Sequence, residues 1–229
     1  MERHFERELE VLKEQLLLMG GHAESIVLKA VEALRRRDET LAHAVFDDDR
    51  RLDRLEIDIE ERCVRLLALQ QPMARDLRFI TAALKISNDL ERVGDHAVNI
   101  AGSAVKLAAE PMLKPLVDIP RMAELASGML HEALDAFVGR DADTARRLVR
   151  RDDEVDALNR QVFRELVSFM IEDPSTITHA MELVLVARNL ERVADLATNV
   201  AEEVVFIAEA RIIKHHADES AAGDEFGRS

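Results

Sequence analysis

One short motif that places oxygen-bearing side chains at helical spacing occurs twice in this chain. In each copy a glutamate, an aspartate and an asparagine stand at positions i, i+4 and i+8. The copies are Glu91, Asp95 and Asn99, followed 100 residues later by Glu191, Asp195 and Asn199. Residues four apart lie on the same side of an α-helix, one turn above the other. Each copy therefore predicts a short column of oxygen ligands.

A second set of acidic side chains precedes each motif, along one flank of a predicted helix. The four positions are Asp49, Asp53, Glu56 and Glu60 in the first copy and Asp152, Asp156, Asn159 and Phe163 in the second. Like charges four residues apart repel by roughly a few tenths of a kcal/mol per pair, so four acids favour a bound cation. Carboxylate and amide oxygens are ligands for hard cations such as Mg²⁺, Ca²⁺, Mn²⁺ and iron. The alternative is that both sets are solvated acidic faces with Arg92 and Arg192 as local partners.

The apolar periodicity predicts that six helices carry these motifs. Leu, Ala, Val and Ile recur at helical spacing, and only 8 glycines and 5 prolines interrupt the chain. The expected helices span about residues 5–36, 41–70, 74–109, 122–138, 141–172 and 177–214. The pair Gly20-Gly21 allows a kink in the first helix, and Gln71-Pro72 and Asp173-Pro174 are breaks that precede the third and the sixth.

The order of helices and breaks repeats, so the sequence predicts an internal duplication. The expected fold is all-α, with two tandem pseudo-symmetric three-helix bundles. Residues 1–113 form the first bundle, residues 114–216 the second, and residues 217–229 a disordered acidic tail.

Composition and charge exclude several classes of function. The formal net charge is −14, which argues against nucleic acid as a partner. Cys63 is the single cysteine, in keeping with a reducing compartment. We expect a cytoplasmic protein, because no apolar run approaches the ~20 residues of a membrane span and the N-terminus lacks a signal-peptide pattern. Without a glycine-rich phosphate loop or a nucleophile elbow, nothing in the sequence argues for catalysis.

These motifs resemble those of the PhoU family of bacterial phosphate-uptake regulators. The resemblance is carried by Gln70-Gln71-Pro72, Asp76-Leu77-Arg78, residues 90–96 with Asn99, and residues 190–195 with Asn199. It extends from about residue 5 to residue 214. It implies two three-helix bundles and a negative regulator of phosphate uptake and phosphate-starvation signalling. Such a regulator is an adaptor between the phosphate ABC transporter and the phosphate-sensing histidine kinase, and meets the membrane only through these partners.

The resemblance also implies metal clusters held by paired acidic motifs. The matching pairs are Asp49/Asp53 and Glu91/Asp95 in the first half and Asp152/Asp156 and Glu191/Asp195 in the second. Iron is the foremost candidate ion, with magnesium, manganese and zinc as alternatives. Leu196 stands where the family usually has histidine, and two acids of the first copy have no counterpart in the second. The second site therefore offers fewer acidic ligands.

Three functions stay open at this point. The first is a non-enzymatic adaptor that restrains phosphate uptake and signalling. The second is an accessory regulator of a different phosphate transporter, and the third is a carboxylate-metal-dependent hydrolase, which needs an open metal position. The apolar flanks of residues 98–105 and the family resemblance together predict a homodimer.

Overall fold

A computed structural model describes the backbone of residues 2–209 and the side chains of residues 4–209. The helices are α1 (Glu2–Arg36), α2 (Glu39–Gln70), α3 (Ala74–Ala108), α4 (Asp118–Gly139), α5 (Ala142–Val149), α6 (Asp152–Glu172) and α7 (Ile177–Glu209), with a 3₁₀ turn at Pro174–Thr176. The described part contains no strand, so the all-α prediction is confirmed. The predicted tail at residues 217–229 lies outside the described residues. None of the helices between residues 2 and 209 combines the length and apolarity of a bilayer crossing.

The turn after the first helix of each repeat has the same construction. Arg37 adopts a left-handed backbone (φ 57°), and the N–H of Asp38 donates to the carbonyl of Ala33 at 3.0 Å. Arg140 adopts the same conformation (φ 54°), and the N–H of Asp141 donates at 2.9 Å to the carbonyl five residues before it. Both aspartates then cap the next helix. These are Schellman-type ends followed by acidic N-caps, and their repetition confirms the internal duplication.

The second repeat departs from the predicted helix at residues 141–172, which is two helices rather than one. The break lies at Arg150 and Arg151, where the N–H of Arg151 bonds to the carbonyl three residues earlier at 2.9 Å. Arg151 also donates to Glu132 of α4 at 2.6 Å. The three acids that open α6 favour a helix start here, because negative charge stabilises the N-terminal end of the helix dipole.

The two repeats pack through their long last helices, α3 and α7, which run antiparallel. Successive contacts along α3 meet descending positions of α7: Lys85 with Glu203 at 2.9 Å, His96 with Asn189 at 2.9 Å, and Ser103 with Glu182 at 2.8 Å. α1 also contacts α4. One continuous hydrophobic core runs through both repeats. The predicted boundary between residues 113 and 114 lies in the linker between α3 and α4.

Gly20 is a packing glycine, not the site of a break in α1. The helix continues through Gly20-Gly21. A Cβ added at Gly20 would collide with the side chain of Leu134 on α4, whereas one added at Gly21 would meet nothing within 4 Å. The missing side chain therefore lets the first helices of the two repeats approach each other.

Candidate metal centres

The first acidic cluster lies where α2 packs beside α3. It consists of Asp49, Asp53 and Glu56 from α2 and Glu91 and Asp95 from α3. Burial raises the pKa of Asp49 to about 6, with further contributions from Asp53 and Asp95. Burial also raises the pKa of Glu91 to about 7, and repulsion from the other four carboxylates adds to the shift. The two columns predicted from the sequence therefore meet in one electrostatically coupled cluster.

The second cluster has the same construction between α6 and α7. It consists of Asp152, Asp156, Glu191 and Asp195. Burial raises the pKa of Asp152 to about 6, and repulsion from the other three acids, and from the exposed neighbour Asp153, adds to this. Burial likewise raises the pKa of Glu191 and Asp195. Oδ1 of Asp152 is buried and has no hydrogen-bond partner among the described residues, so a proton or a cation would satisfy it.

The two clusters differ in how much positive charge they already hold. In the second, Arg192 lies 3.2 Å from Asp195, and Arg160 lies 3.2 Å from Asp156. In the first, the equivalent arginine, Arg92, pairs with Asp89, which is outside the cluster, at 3.5 Å. The first cluster therefore combines more carboxylates with less local neutralisation.

Three further positions from the sequence analysis remain outside this coupled set. Asn99 is exposed and Asn199 is half-buried, one helical turn beyond Asp95 and Asp195, and neither makes a hydrogen bond within the part of the chain described. Their role as ligands stays a prediction. Glu60 is exposed and is not among the acids that raise the pKa of Glu91.

His96 is a residue whose place the sequence analysis missed. It belongs to the first repeat, yet its ring bonds to Asn189 of α7 at 2.9 Å. It also counteracts the rise in the pKa of Asp195, so it faces the second cluster. Its counterpart Leu196 is buried in the core. Comparing equivalent positions could not reveal this placement, because it depends on how α3 crosses α7.

A glycine in the first cluster sets the distance between α2 and α3. A Cβ added at Gly94 would lie 2.5 Å from Oδ1 of Asp49 and 2.7 Å from Cδ2 of Leu52. In the second repeat Ala194 carries that Cβ, and the shorter Val155 stands where Leu52 stands in the first. The repeats thus use two matched combinations of large and small side chains at the same junction.

We therefore expect Gly94→Ala to destabilise the protein although alanine is the better helix former. Gly102→Ala is the matched control on the same helix, because its added Cβ meets nothing within 4 Å. The control should be stabilised by up to about 1 kcal/mol from helix propensity. Adding Leu52→Val to Gly94→Ala should recover stability, as in the second repeat. Urea denaturation measures all four proteins, and equal stabilisation by the two alanines would contradict the packing argument.

Both clusters have the donor chemistry of a site for a hard cation. Carboxylate oxygens are the preferred ligands of Mg²⁺, Mn²⁺ and iron among others, and the orphaned oxygen of Asp152 fits a missing positive partner. Among the side chains of residues 4–209, no three of the Asp, Glu, His and Cys groups already surround a common ion position. A bound ion would therefore draw the carboxylates together by changing their rotamers. The residue types in both clusters therefore suit a hard cation.

The raised pKa values predict how the metal-free protein responds to pH. The pKa of Glu91 is raised to about 7 in the folded state. Between the ordinary glutamate pKa and this value, the folded state therefore binds more protons than the unfolded state. The contribution of Glu91 to the free energy of unfolding thus falls as pH rises through that window. We expect Glu91→Gln to raise the melting temperature at pH 8 in the presence of a chelator, and to have little effect near pH 4. Glu124→Gln, an exposed change on α4, is the control. A pH-independent difference would contradict the prediction.

Together these features define a class of protein: an all-helical tandem repeat in which each repeat presents a carboxylate cluster between its last two helices. Comparison with known proteins identifies the family. The PhoU domain model matches residues 16–104 and again residues 119–204. The chain belongs to the PhoU family.

Similar proteins cover nearly the whole chain. The phosphate-specific transport system accessory protein PhoU homolog of Aquifex aeolicus is 45% identical over 209 residues, 91% of this chain and 95% of that protein. The homolog of Caulobacter vibrioides is 46% identical over 205 residues, 89% of each chain. The crystal structure of PhoU from Pseudomonas aeruginosa superimposes with a TM-score of 0.87 at 39% identity, covering 90% of this chain and 100% of that one.

A second solved structure extends the likeness to a more distant sequence. The phosphate transport system regulatory protein PhoU from Streptococcus pneumoniae superimposes with a TM-score of 0.84 at 28% identity, covering 91% of this chain and 98% of that one. The tandem fold is thus common to chains that share little more than a quarter of their residues.

Proposed function

We propose that this protein is a negative regulator of phosphate uptake and phosphate-starvation signalling. It acts in the cytoplasm as an adaptor between the phosphate ABC transporter and the phosphate-sensing histidine kinase, and meets the membrane only through them. The observation that carries the proposal is the match of both repeats, over nearly the full chain, to relatives named accessory proteins of the phosphate-specific transport system. The protein acts by binding and is not an enzyme.

We further propose that the two carboxylate clusters bind divalent or trivalent metal ions, with iron foremost. Asp49, Asp53, Glu56, Glu91 and Asp95 are the ligand candidates in the first cluster, and Asn99 extends the column. The candidates in the second are Asp152, Asp156, Glu191 and Asp195, extended by Asn199. The support for this is that burial, and after it mutual repulsion, raises the pKa values of carboxylates that lie together in each cluster, and a bound cation would stabilise their charged forms.

A homodimer is also part of the proposal. Ala97, Ala101 and Ala104 face the core of the chain itself, which leaves Val98 and Val105 as the half-buried apolar positions of this stretch of α3. Light scattering should give twice the mass of the 25.8 kDa chain.

Complementation tests the regulatory function. The chain is expressed in a bacterium that lacks its own PhoU protein, and phosphate uptake and a phosphate-starvation reporter are measured in phosphate-rich medium. We expect both to fall towards the level of the parent strain. A folded, well-expressed chain that lowers neither one would contradict the proposed regulation. A fall in uptake without a change in the reporter would favour a transporter accessory that does not act on the kinase.

A further inference from the structure

An open groove lies between α6 and α7, beside the second carboxylate cluster. Its volume is about 560 Å³. Four of its eight lining residues are arginines. The lining consists of Asn159, Arg160, Phe163 and Arg164 from α6 and Val184, Arg188, Glu191 and Arg192 from α7. We call this surface the arginine groove.

The duplication supplies an internal reference for this surface, because the equivalent positions of the first repeat carry the opposite charge. With the offsets of 103 for α6 and 100 for α7, these positions are Glu56, Ile57, Glu60, Glu61, Leu84, Asn88, Glu91 and Arg92. Four glutamates and one arginine in the first repeat thus correspond to four arginines and one glutamate in the second. A surface that served only to solvate the fold would not need this inversion.

The arginines are only partly engaged by the protein itself. Arg160 and Arg192 pair with Asp156 and Asp195, each at 3.2 Å. Arg164 and Arg188 are exposed and have no ion-pair partner within 4.0 Å among residues 4–209, although the charge of Arg188 acts to lower the pKa of Glu191 in the same groove. Two guanidinium groups with free donors therefore stand on facing helices, on a chain whose formal net charge is −14. Guanidinium groups with free N–H donors suit bidentate binding of carboxylates.

The groove also has an apolar side. Phe163 is 51% exposed, which is unusual for a large aromatic side chain, and Val184 lines the facing wall. Met181 and Ile177, both 45% exposed, continue the same face of α7 at positions three and seven residues before Val184. An occupant therefore needs an apolar strip next to its negative charges, and a simple anion lacks that strip.

We propose that the arginine groove docks an acidic, amphipathic segment of a partner protein. The segment packs apolar side chains against Phe163 and Val184 and places carboxylates over Arg164 and Arg188. A channel between two antiparallel helices that pack side by side accommodates a third amphipathic helix by its apolar face. The charge complementarity of the four arginines selects an acidic segment over a basic one. This docking goes beyond the proposed regulation, since it requires neither phosphate nor a metal ion.

The test uses the full chain and a defined probe. The probe is a fluorescein-labelled helical peptide of about 18 residues, five helical turns, with glutamates on one face and leucines on the other. Fluorescence anisotropy measures its binding in a chelator-containing buffer. The test variant is Arg164→Glu with Arg188→Glu. The matched control is Arg7→Glu with Arg121→Glu, two exposed arginines outside the groove that also lack ion-pair partners in the described part and change the net charge equally. Circular dichroism establishes that both variants are folded.

We expect the groove variant to weaken binding at least about tenfold and the control to change it less than about threefold, since only the first removes close charge pairs. Phe163→Ala should also weaken binding, and ~0.5 M salt should reduce it by screening. A lysine version of the peptide should not bind.

Equal losses in the two double variants, or no binding by the unaltered chain, would overturn the proposal. So would full displacement by millimolar inorganic phosphate, which indicates a simple anion site, or a groove variant that converts a dimer to a monomer, which indicates a second copy as the occupant. Complementation of phosphate regulation is a separate measurement, so failure of one does not decide the other.

Discussion

Alanine at both Glu91 and Asp95 is expected to remove most of the metal-dependent rise in melting temperature, whereas alanine at both Glu191 and Asp195 should remove less. A ligand that binds only the folded state stabilises it by RT ln(1 + [L]/Kd), so at a given ligand concentration the tighter site gives the larger rise in melting temperature. Hard cations gain most from additional anionic oxygens. The first cluster brings together five carboxylates and the second four.

Local arginines increase the expected difference in metal affinity between the two clusters. Arg192 and Arg160 neutralise part of the second cluster, while Arg92 pairs outside the first. The unpartnered oxygen of Asp152 acts in the opposite direction, because a cation there would satisfy a buried acceptor. One such oxygen is a smaller effect than a missing carboxylate together with two nearby guanidinium groups. We therefore expect the first cluster to bind a metal ion more tightly than the second.

Metal analysis and thermal shift measurements decide between the clusters. Protein purified without a chelator or a metal-affinity tag gives the resident metal and its stoichiometry. Chelated protein titrated with iron, manganese, magnesium or zinc gives the stabilisation for each variant. Glu124→Ala with Glu172→Ala is the matched control, since it removes two exposed acids outside both clusters. Equal losses from the two cluster variants would show that the number of acids is the wrong guide. If neither variant differed from the control, both clusters would be solvated acidic faces.

The helical spacing of the motifs was sufficient to predict which acids share a helix face. Because i, i+4 positions lie on one side of a helix, the columns of α3 and α7 followed from the sequence. That each column meets the acids of the preceding helix depends on how the two helices pack, which spacing alone does not determine. The break at Arg150 was not predicted, since neither proline nor glycine marks it. The left-handed ends at Arg37 and Arg140 were also hidden, because glycine is the usual residue there.

Features that depend on contacts between the repeats could not be predicted from local patterns. The environment of His96 is set by the crossing of α3 and α7, and neither its own spacing nor its counterpart Leu196 indicates it. In the sequence, Phe163 stands out only as the replacement of an acid. Its role as one wall of the arginine groove became visible once α6 and α7 were placed side by side. Periodicity identifies which face of a helix is buried, but not which helix covers it.

Phe137→Ala is expected to destabilise the whole protein, and not only the second repeat. Its ring stacks on Phe79 of the first repeat, with centroids 5.1 Å apart and planes inclined by 19°. Both side chains are 1% exposed. Truncating a buried phenylalanine costs about 3–5 kcal/mol, and loss of the aromatic pair is included in this. Because one core runs through both repeats, unfolding should remain a single transition at lower denaturant concentration.

Phe163→Ala is the matched control for this prediction, because it makes the same chemical change at a half-exposed ring. Its effect on stability should be within about 0.5 kcal/mol, as for most surface substitutions. Guanidinium chloride denaturation followed by circular dichroism measures both variants. Two separate transitions, with only one of them shifted by Phe137→Ala, would show that the repeats fold independently. A single shifted transition would show that the two repeats unfold as one cooperative unit, as their continuous core predicts, so that a substitution in either repeat lowers the stability of both.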